Sequence, residues 1–348
     1  MPISSDTPDT ADTPDASPAD SERTPRERFI AALERRPLPG RVPTFELVFF
    51  LTMEAFGRVH PLHRRYDQWL QMTDAERALH RSDAADLYIK TAETYGHDAI
   101  FVHPNPGDFE ETCRLIDAIR DRVGDRYFLA MHGDCTYAIP SGSEMEELSL
   151  RMMEEPDAVE ADAQQRLDQA IASAERFSAH GGLDGLMLCS DYCFNSGPFL
   201  PLPWFDRFVT PFLHRSIAAY KEMGFYVVKH TDGNIMPILD RLVPDDPASR
   251  PHALHSLDPQ GGIDLSEIVE RVGDRVALCG NVDCGLLQTG SEEQCLADVD
   301  RSIRQGLAAP GYIFSTSNCV YTGMPLDRYQ LVIDTYRRLA IRDAESPQ

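Results

Sequence analysis

No run of about 18 apolar residues occurs anywhere in the chain, so no membrane-spanning helix is expected. CxxC spacing is also missing. The eight cysteines, Cys113, Cys135, Cys189, Cys193, Cys279, Cys284, Cys295 and Cys319, stand apart. In a chain of 348 residues without an export signature, free thiols or metal ligands are expected rather than a disulfide framework. The N-terminus lacks a basic region followed by an apolar core, so no secretory signal is read there and a cytoplasmic location is expected. Basic residues are scarce: 33 Lys and Arg face 56 Asp and Glu, a net charge of −23. That balance argues against nucleic acid, whose phosphates need a basic face, and against an anionic membrane surface. Neither a G-x-G-x-x-G turn nor a G-x-x-x-x-G-K loop follows any strand-like run, which disfavours an open nucleotide-binding sheet.

What the chain does have is alternation. Strand-like runs fall at residues 42–48, 98–102, 127–132, 185–190, 225–230, 253–256, 275–280 and 311–315. Helical patterns lie between them, among them 156–179, 204–222, 265–272, 292–306 and 326–339. Eight β runs separated by helices predict a single α/β domain, a (β/α)8 TIM barrel. Residues 1–23, rich in Asp, Pro, Thr and Ser, cannot bury enough surface to order and are expected to form a disordered tail. The barrel is then residues 24–348. Thr24 and Glu27 fit a capping box with Pro25 at the first helical position. Residues 49–97, aromatic and partly helical, form an elaborated connection after the first strand run that could cover part of the barrel mouth.

Barrel chemistry sits beyond the C-terminal strand ends. The most informative segment is Val227-Val228-Lys229-His230-Thr231-Asp232-Gly233-Asn234, a β-branched run that delivers a histidine and, two residues on, an aspartate to the same side. Other strand ends carry Glu46, His103, His132, Asp134, Asp191 to Asn195, Asp258, Asn281, Asp283, Asn318 and Cys319. Each has a plainer reading. Asp134, Asp283 and Asn318 suit turns or helix caps. His103 suits a surface loop, and Cys189 and Cys279 suit buried filler. His230, Asp232 and Cys319 together offer a mixed site suited to zinc, with Glu46 as a fourth ligand. The alternative has Asp232 orienting His230 as an acid/base group.

The residues also resemble a known family. Arg26-Glu27-Arg28-Phe29, Arg41-Val42-Pro43, Asp191-Tyr192-Cys193-Phe194-Asn195-Ser196-Gly197-Pro198, His230-Thr231-Asp232-Gly233-Asn234, Gly280-Asn281-Val282-Asp283, Gly311-Tyr312-Ile313 and Ser317-Asn318-Cys319 occur in order over roughly residues 24–340. They resemble the uroporphyrinogen decarboxylase superfamily, which includes cobalamin-dependent methyltransferases. The resemblance implies a single barrel that often pairs as a homodimer. Its decarboxylases carry an Arg-Gln-Ala-Gly-Arg-Tyr segment after the first strand, whereas here Glu46 to Met53 contains no arginine. Eight substrate carboxylates would find no partners there. The methyltransferase branch holds zinc with His-x-Cys and a later Cys. Here His230 and Cys319 match, and Asp232 replaces the first cysteine.

The leading expectation is therefore a zinc-dependent methyltransferase, moving a methyl group between a corrinoid and a small thiol, alcohol or methyl ether. No Asp-x-His-x-x-Gly signature is present, so the corrinoid would arrive on a separate protein. His230, Asp232 and Cys319 are the expected metal ligands. Asp191, Tyr192, His132 and Glu46 are the expected catalytic groups, and Asn195, Asn234, Asp258 and Asn281 the expected substrate contacts. The rivals are a metal-free acid/base decarboxylase and a barrel that only binds a ligand.

Overall fold

The structure, a computed structural model, describes residues 23–37 and 39–343. All of the expected 1–23 tail except Arg23 lies outside the described residues. Order begins with helix α1 (Pro25–Leu33), closed at its start by the expected capping box. Thr24 Oγ1 accepts from the Glu27 N–H at 3.2 Å, and the Glu27 carboxylate accepts from the Thr24 N–H at 2.7 Å. Two of the four orphan donors of a helix start are thereby satisfied.

Seven strands form one curled parallel sheet: β1 (Ala99–Val102), β2 (Phe128–His132), β3 (Gly185–Leu188), β4 (Tyr226–Thr231), β5 (Ala253–Ser256), β6 (Ala277–Cys279) and β7 (Tyr312–Ile313). Each pairs in parallel with the next. Helices follow the strands, such as α2 (Phe109–Val123), α3 (Pro156–His180) and α4 (Thr210–Glu222). The architecture is that of a TIM barrel.

The expected strand at 42–48 forms no ladder of its own, yet it fills the place between the two edges of the sheet. Thr44 bridges Phe314 just past β7. The Phe314 N–H donates to Pro43 O at 2.9 Å, and the Asp98 N–H, just before β1, donates to Thr44 O at 2.7 Å. A regular ladder fails for a local reason. Pro43 has no N–H, and the Thr44 N–H is taken by the Asp98 carboxylate at 2.9 Å.

Alternation along the strands separates two apolar layers. Phe45, Ala99, Phe101, Phe128, Ala130, Met187, Val228, Ala253, Ala277, Cys279 and Ile313 fill the barrel interior, with Phe29 of α1 closing the base. Val227, Leu254 and Leu278 face outward into the layer packed by helices. At the base, two carboxylates immediately before strands tie α1 down. Asp98 accepts from Arg28 and Arg41, each at 2.9 Å, and Asp184 accepts from Arg26 and Arg120, each at 2.8 Å. Among the described residues, no helix is long and apolar enough to cross a membrane.

Candidate active site

The interior positions continue upward by steps of two. Phe101 leads to His103, Ala130 to His132, Met187 to Cys189, Val228 to His230, and Ala253 to His255. The top layer of the barrel is therefore lined with imidazoles, as strand periodicity requires. Neighbouring parallel strands in register hold His230 and His255 side by side, with ring centroids 4.9 Å apart.

Their hydrogen bonds fix both tautomers. His255 Nε2 lies 3.2 Å from Thr316 O, which can only accept, so that nitrogen carries the proton. Burial drives the His255 imidazole well below its ordinary range, so the ring is neutral and Nδ1 is bare. His230 Nδ1, 2.8 Å away, must then be the donor. Burial likewise holds His230 at about 4, and Asp191, which opposes that shift, does not overcome it. A neutral His230 presents the lone pair of Nε2 to the mouth. Facing it are Asp191 Oδ1 at 3.6 Å and Asp232 Oδ1 at 3.8 Å.

Both carboxylates are themselves held. The Asp232 N–H donates to Asp191 Oδ1 at 3.0 Å. Ser256 Oγ donates to Asp232 Oδ1 at 2.7 Å, and Asn318 Nδ2 donates to Oδ2. Burial first, and the neighbouring Asp191 charge second, raise Asp232 to about 7. Gly233 makes this approach of the two strand ends feasible. Its φ is +77°, and a Cβ there would lie 2.5 Å from Cys193 O.

Three potential ligand atoms thus converge. Among the described residues, Asp191, His230 and Asp232 are the one group of three or more His, Cys, Asp or Glu whose ligand atoms all lie within 4.8 Å of one another. Ligands of tetrahedral zinc, bound at about 2.0–2.1 Å, stand roughly 3.4 Å apart. The separations here approach that, and the donor set of one imidazole and two carboxylates suits a divalent cation.

Cys319, expected beside His230 and Asp232 in the ligand set, stands outside this group of converging atoms. Its sequence position brings it to the same rim, where the Asp232 and Glu46 charges reach it. Burial, foremost, pushes its thiol up to about 12. Asp191, expected in catalysis, takes the third position. Glu46 is buried, and accepts from Thr316 Oγ1 at 2.5 Å and from Tyr329 OH at 3.3 Å. Burial raises it to about 7 despite those bonds. Since Thr316 O also receives His255, Glu46 lies behind the histidine pair.

Two further expected site residues lie inside the wall. Tyr192 is fully buried, its hydroxyl 2.6 Å from Thr136 Oγ1 and its ring 4.1 Å from the Lys229 ammonium. Asn281 is fully buried too, donating to Leu257 O at 2.8 Å and accepting from Arg301 at 3.0 Å. Asp258 caps a turn by accepting from the Gln260 N–H, and Asn234 accepts from the Met236 N–H. Asn195 lies exposed at the tip of the short hairpin formed by Cys193–Phe194 and Gly197–Pro198.

Sequence reading missed Lys229 and its pairing with Asp134. Lys229 is fully buried and donates to Asp134 Oδ2 at 2.9 Å and to Ser190 O at 2.9 Å. Burial works against ionised Asp134, but Lys229 and the bonds from Thr136 and Ser190 outweigh it and hold it at about 2. A lysine between β-branched residues and a histidine was the available signal, because a charge inside a parallel strand needs a partner. His103 was also misread as a surface residue. It is buried, its Nε2 lies 3.0 Å from Leu47 O, and its Nδ1 lies 3.1 Å from His132 Nε2.

Comparison with known proteins agrees with this architecture. The family model described as uroporphyrinogen decarboxylase (URO-D) matches residues 135–339. A methyltransferase from Methanosarcina mazei superposes with a TM-score of 0.68 at 17% identity, covering 90% of this chain and 98% of that one. A GH5_18 protein from Bifidobacterium longum subsp. infantis reaches a TM-score of only 0.46 at 13% identity, over 82% of this chain and 78% of that one, too slight to bear on function. No curated protein matches the sequence. The family model spans more than half of the chain, from the loop after β2 through the last barrel helix, and the chain belongs to the uroporphyrinogen decarboxylase (URO-D) family.

Proposed function

We propose that the chain is a metal-dependent methyltransferase, with Asp191, His230 and Asp232 holding a divalent cation, zinc by the family resemblance. The convergence of the Nε2 lone pair and two carboxylate oxygens carries this reading. When bound, the cation lowers the pKa of a thiol or hydroxyl so that its anion is available as nucleophile. The remaining work falls to the protein. His255 holds His230 in the tautomer that presents Nε2, while Ser256 and Asn318 orient Asp232. Such supporting bonds are what keep ligands aimed. A corrinoid carried by a separate protein would supply or receive the methyl group.

A metal-free acid/base decarboxylase is the second reading, favoured by one observation: Asp232, at about 7, can hold a proton near neutral pH. The absence of arginine between Glu46 and Met53 weighs against a porphyrinogen as its substrate. Elemental analysis of purified protein, paired with methyl transfer from methylcobalamin to a small thiol, tests the first reading. About one metal per chain is expected, with turnover lost in His230→Ala. Full activity without metal, or turnover of uroporphyrinogen, would overturn it.

A further inference from the structure

A cleft of about 400 Å³ opens beside the histidine layer, lined by Leu47, Val48, Leu62, Pro104 and Met131 together with His103 and His132. Leu62 comes from the long 49–97 connection, which Asn105 ties to the loop after β1 by donating to Pro61 O at 2.6 Å and Arg64 O at 2.8 Å. No lysine or arginine lines the cleft. Its polar character comes from two imidazoles whose tautomers follow from geometry. Leu47 O accepts from His103 Nε2, which leaves His103 Nδ1 to accept from His132 Nε2. A neutral His132 is left with a bare Nδ1, and no group among the described residues hydrogen-bonds it. Burial lowers the His103 imidazole below its ordinary range, to about 4, in keeping with a neutral ring.

We infer that this cleft binds the uncharged apolar body of the substrate, and that His132 accepts a hydrogen bond from a hydroxyl on it. The ligand class is a neutral, hydroxyl-bearing apolar molecule of aromatic size. A carboxylate would lose water and gain no cation, a cost the walls do not offset. A purely apolar ligand would leave the His132 acceptor covered and unmet. The inference rests on the methyl-transfer reading only for what happens at the reacting end of the molecule.

The test is calorimetric titration of the full chain, stripped of metal, near neutral pH, with three probes of similar size: guaiacol, anisole and 2-methoxybenzoate. Guaiacol is expected to bind at least tenfold more tightly than 2-methoxybenzoate. Its advantage over anisole should be about fivefold, the worth of one hydrogen bond. In His132→Phe the preference for guaiacol over anisole should vanish. In Leu62→Glu, at a position 40% exposed and therefore tolerant of change, guaiacol affinity should fall at least fivefold. Equal or tighter binding of the carboxylate, no saturable guaiacol binding at millimolar concentration, or unaltered binding in Leu62→Glu would each overturn the inference. Because no metal and no turnover enter the measurement, guaiacol binding by a protein that transfers no methyl group supports the cleft and sinks only the reading of the metal centre.

Discussion

The two ends of the barrel treat buried carboxylates in opposite ways. At the base, Asp98 is fully buried between Arg28 and Arg41, and Asp184 sits between Arg26 and Arg120. At the mouth, Asp191 and Asp232 face a neutral histidine, and Glu46 is held by the Thr316 and Tyr329 hydroxyls and the Thr316 N–H, with no cation among its hydrogen-bond partners within the described residues. The base carboxylates are complete ion pairs that fasten α1 and the closing segment to the sheet. Asp134 at that end is answered by Lys229, but among the described residues Asp191, Asp232 and Glu46 are not answered by a lysine or arginine, and burial drives Asp232 and Glu46 toward their protonated forms. An end built for stability neutralises its charges internally. An end built for chemistry leaves a charge for a ligand to answer, which is where perturbed groups gather.

The sharpest way to break this contrast is at the base. Asp98→Asn should cost about 3–5 kcal/mol in denaturant unfolding, because it removes the buried negative charge that Arg28 and Arg41 share. A loss below about 1 kcal/mol would mean that the base pairing is ornamental.

Glu46 gives the opposite sign. Its folded pKa, about 7, lies above the ordinary value of 4.5. Its contribution is therefore fully present below about pH 4.5 and is lost as pH rises through about 7. The unfolding free energy of metal-free protein, read from urea titrations, should fall over that window by up to about 3 kcal/mol, and Glu46→Gln should flatten the slope. An unchanged slope in the variant would place the titration elsewhere.

Metal affinity separates the centre from its surroundings. His255→Phe, which removes the acceptor that fixes His230, should weaken zinc binding by about 10–100-fold. Cys319→Ser, outside the converging group, should change it by less than about tenfold. The reverse ranking in competition with a chelator would restore the thiolate to the ligand set. The smallest effect belongs to Arg26→Ala. Arg26 is a third exposed, and Arg120 still answers Asp184, so thermal denaturation should report a loss of about 1 kcal/mol or less.

Much of this molecule was legible in the chain. The capping box at Thr24 and Glu27, the alternation of strands and helices, and the arrival of His230 and Asp232 at one rim all follow from periods of 2 and 3.6 and from local hydrogen bonding. The same step of two, applied to every strand, would have placed His103 and His255 in the top layer as well. His103 was misjudged because the Pro-Asn-Pro-Gly loop after it looks like surface, and its burial comes from residues 47 to 62, far earlier in the chain. The burial of Asn281 and Tyr192 was not legible for a related reason. Residue type announces that a polar group needs a partner, but not whether that partner is Arg301, Thr136 or a substrate.

By itself, then, the sequence determined the layered barrel, the acidic character of the protein and the strand ends on which polar side chains would meet. Those properties are set by neighbours within a few residues or by simple composition. Only the tertiary structure decided that Asp191, rather than Cys319, completes the group around His230, and that the Glu46 to Met53 stretch supplies apolar wall. Distances of a few ångströms between strand ends depend on sheet curvature and on the room Gly233 leaves under the Cys193 carbonyl, and such distances are properties of packing that no linear pattern encodes.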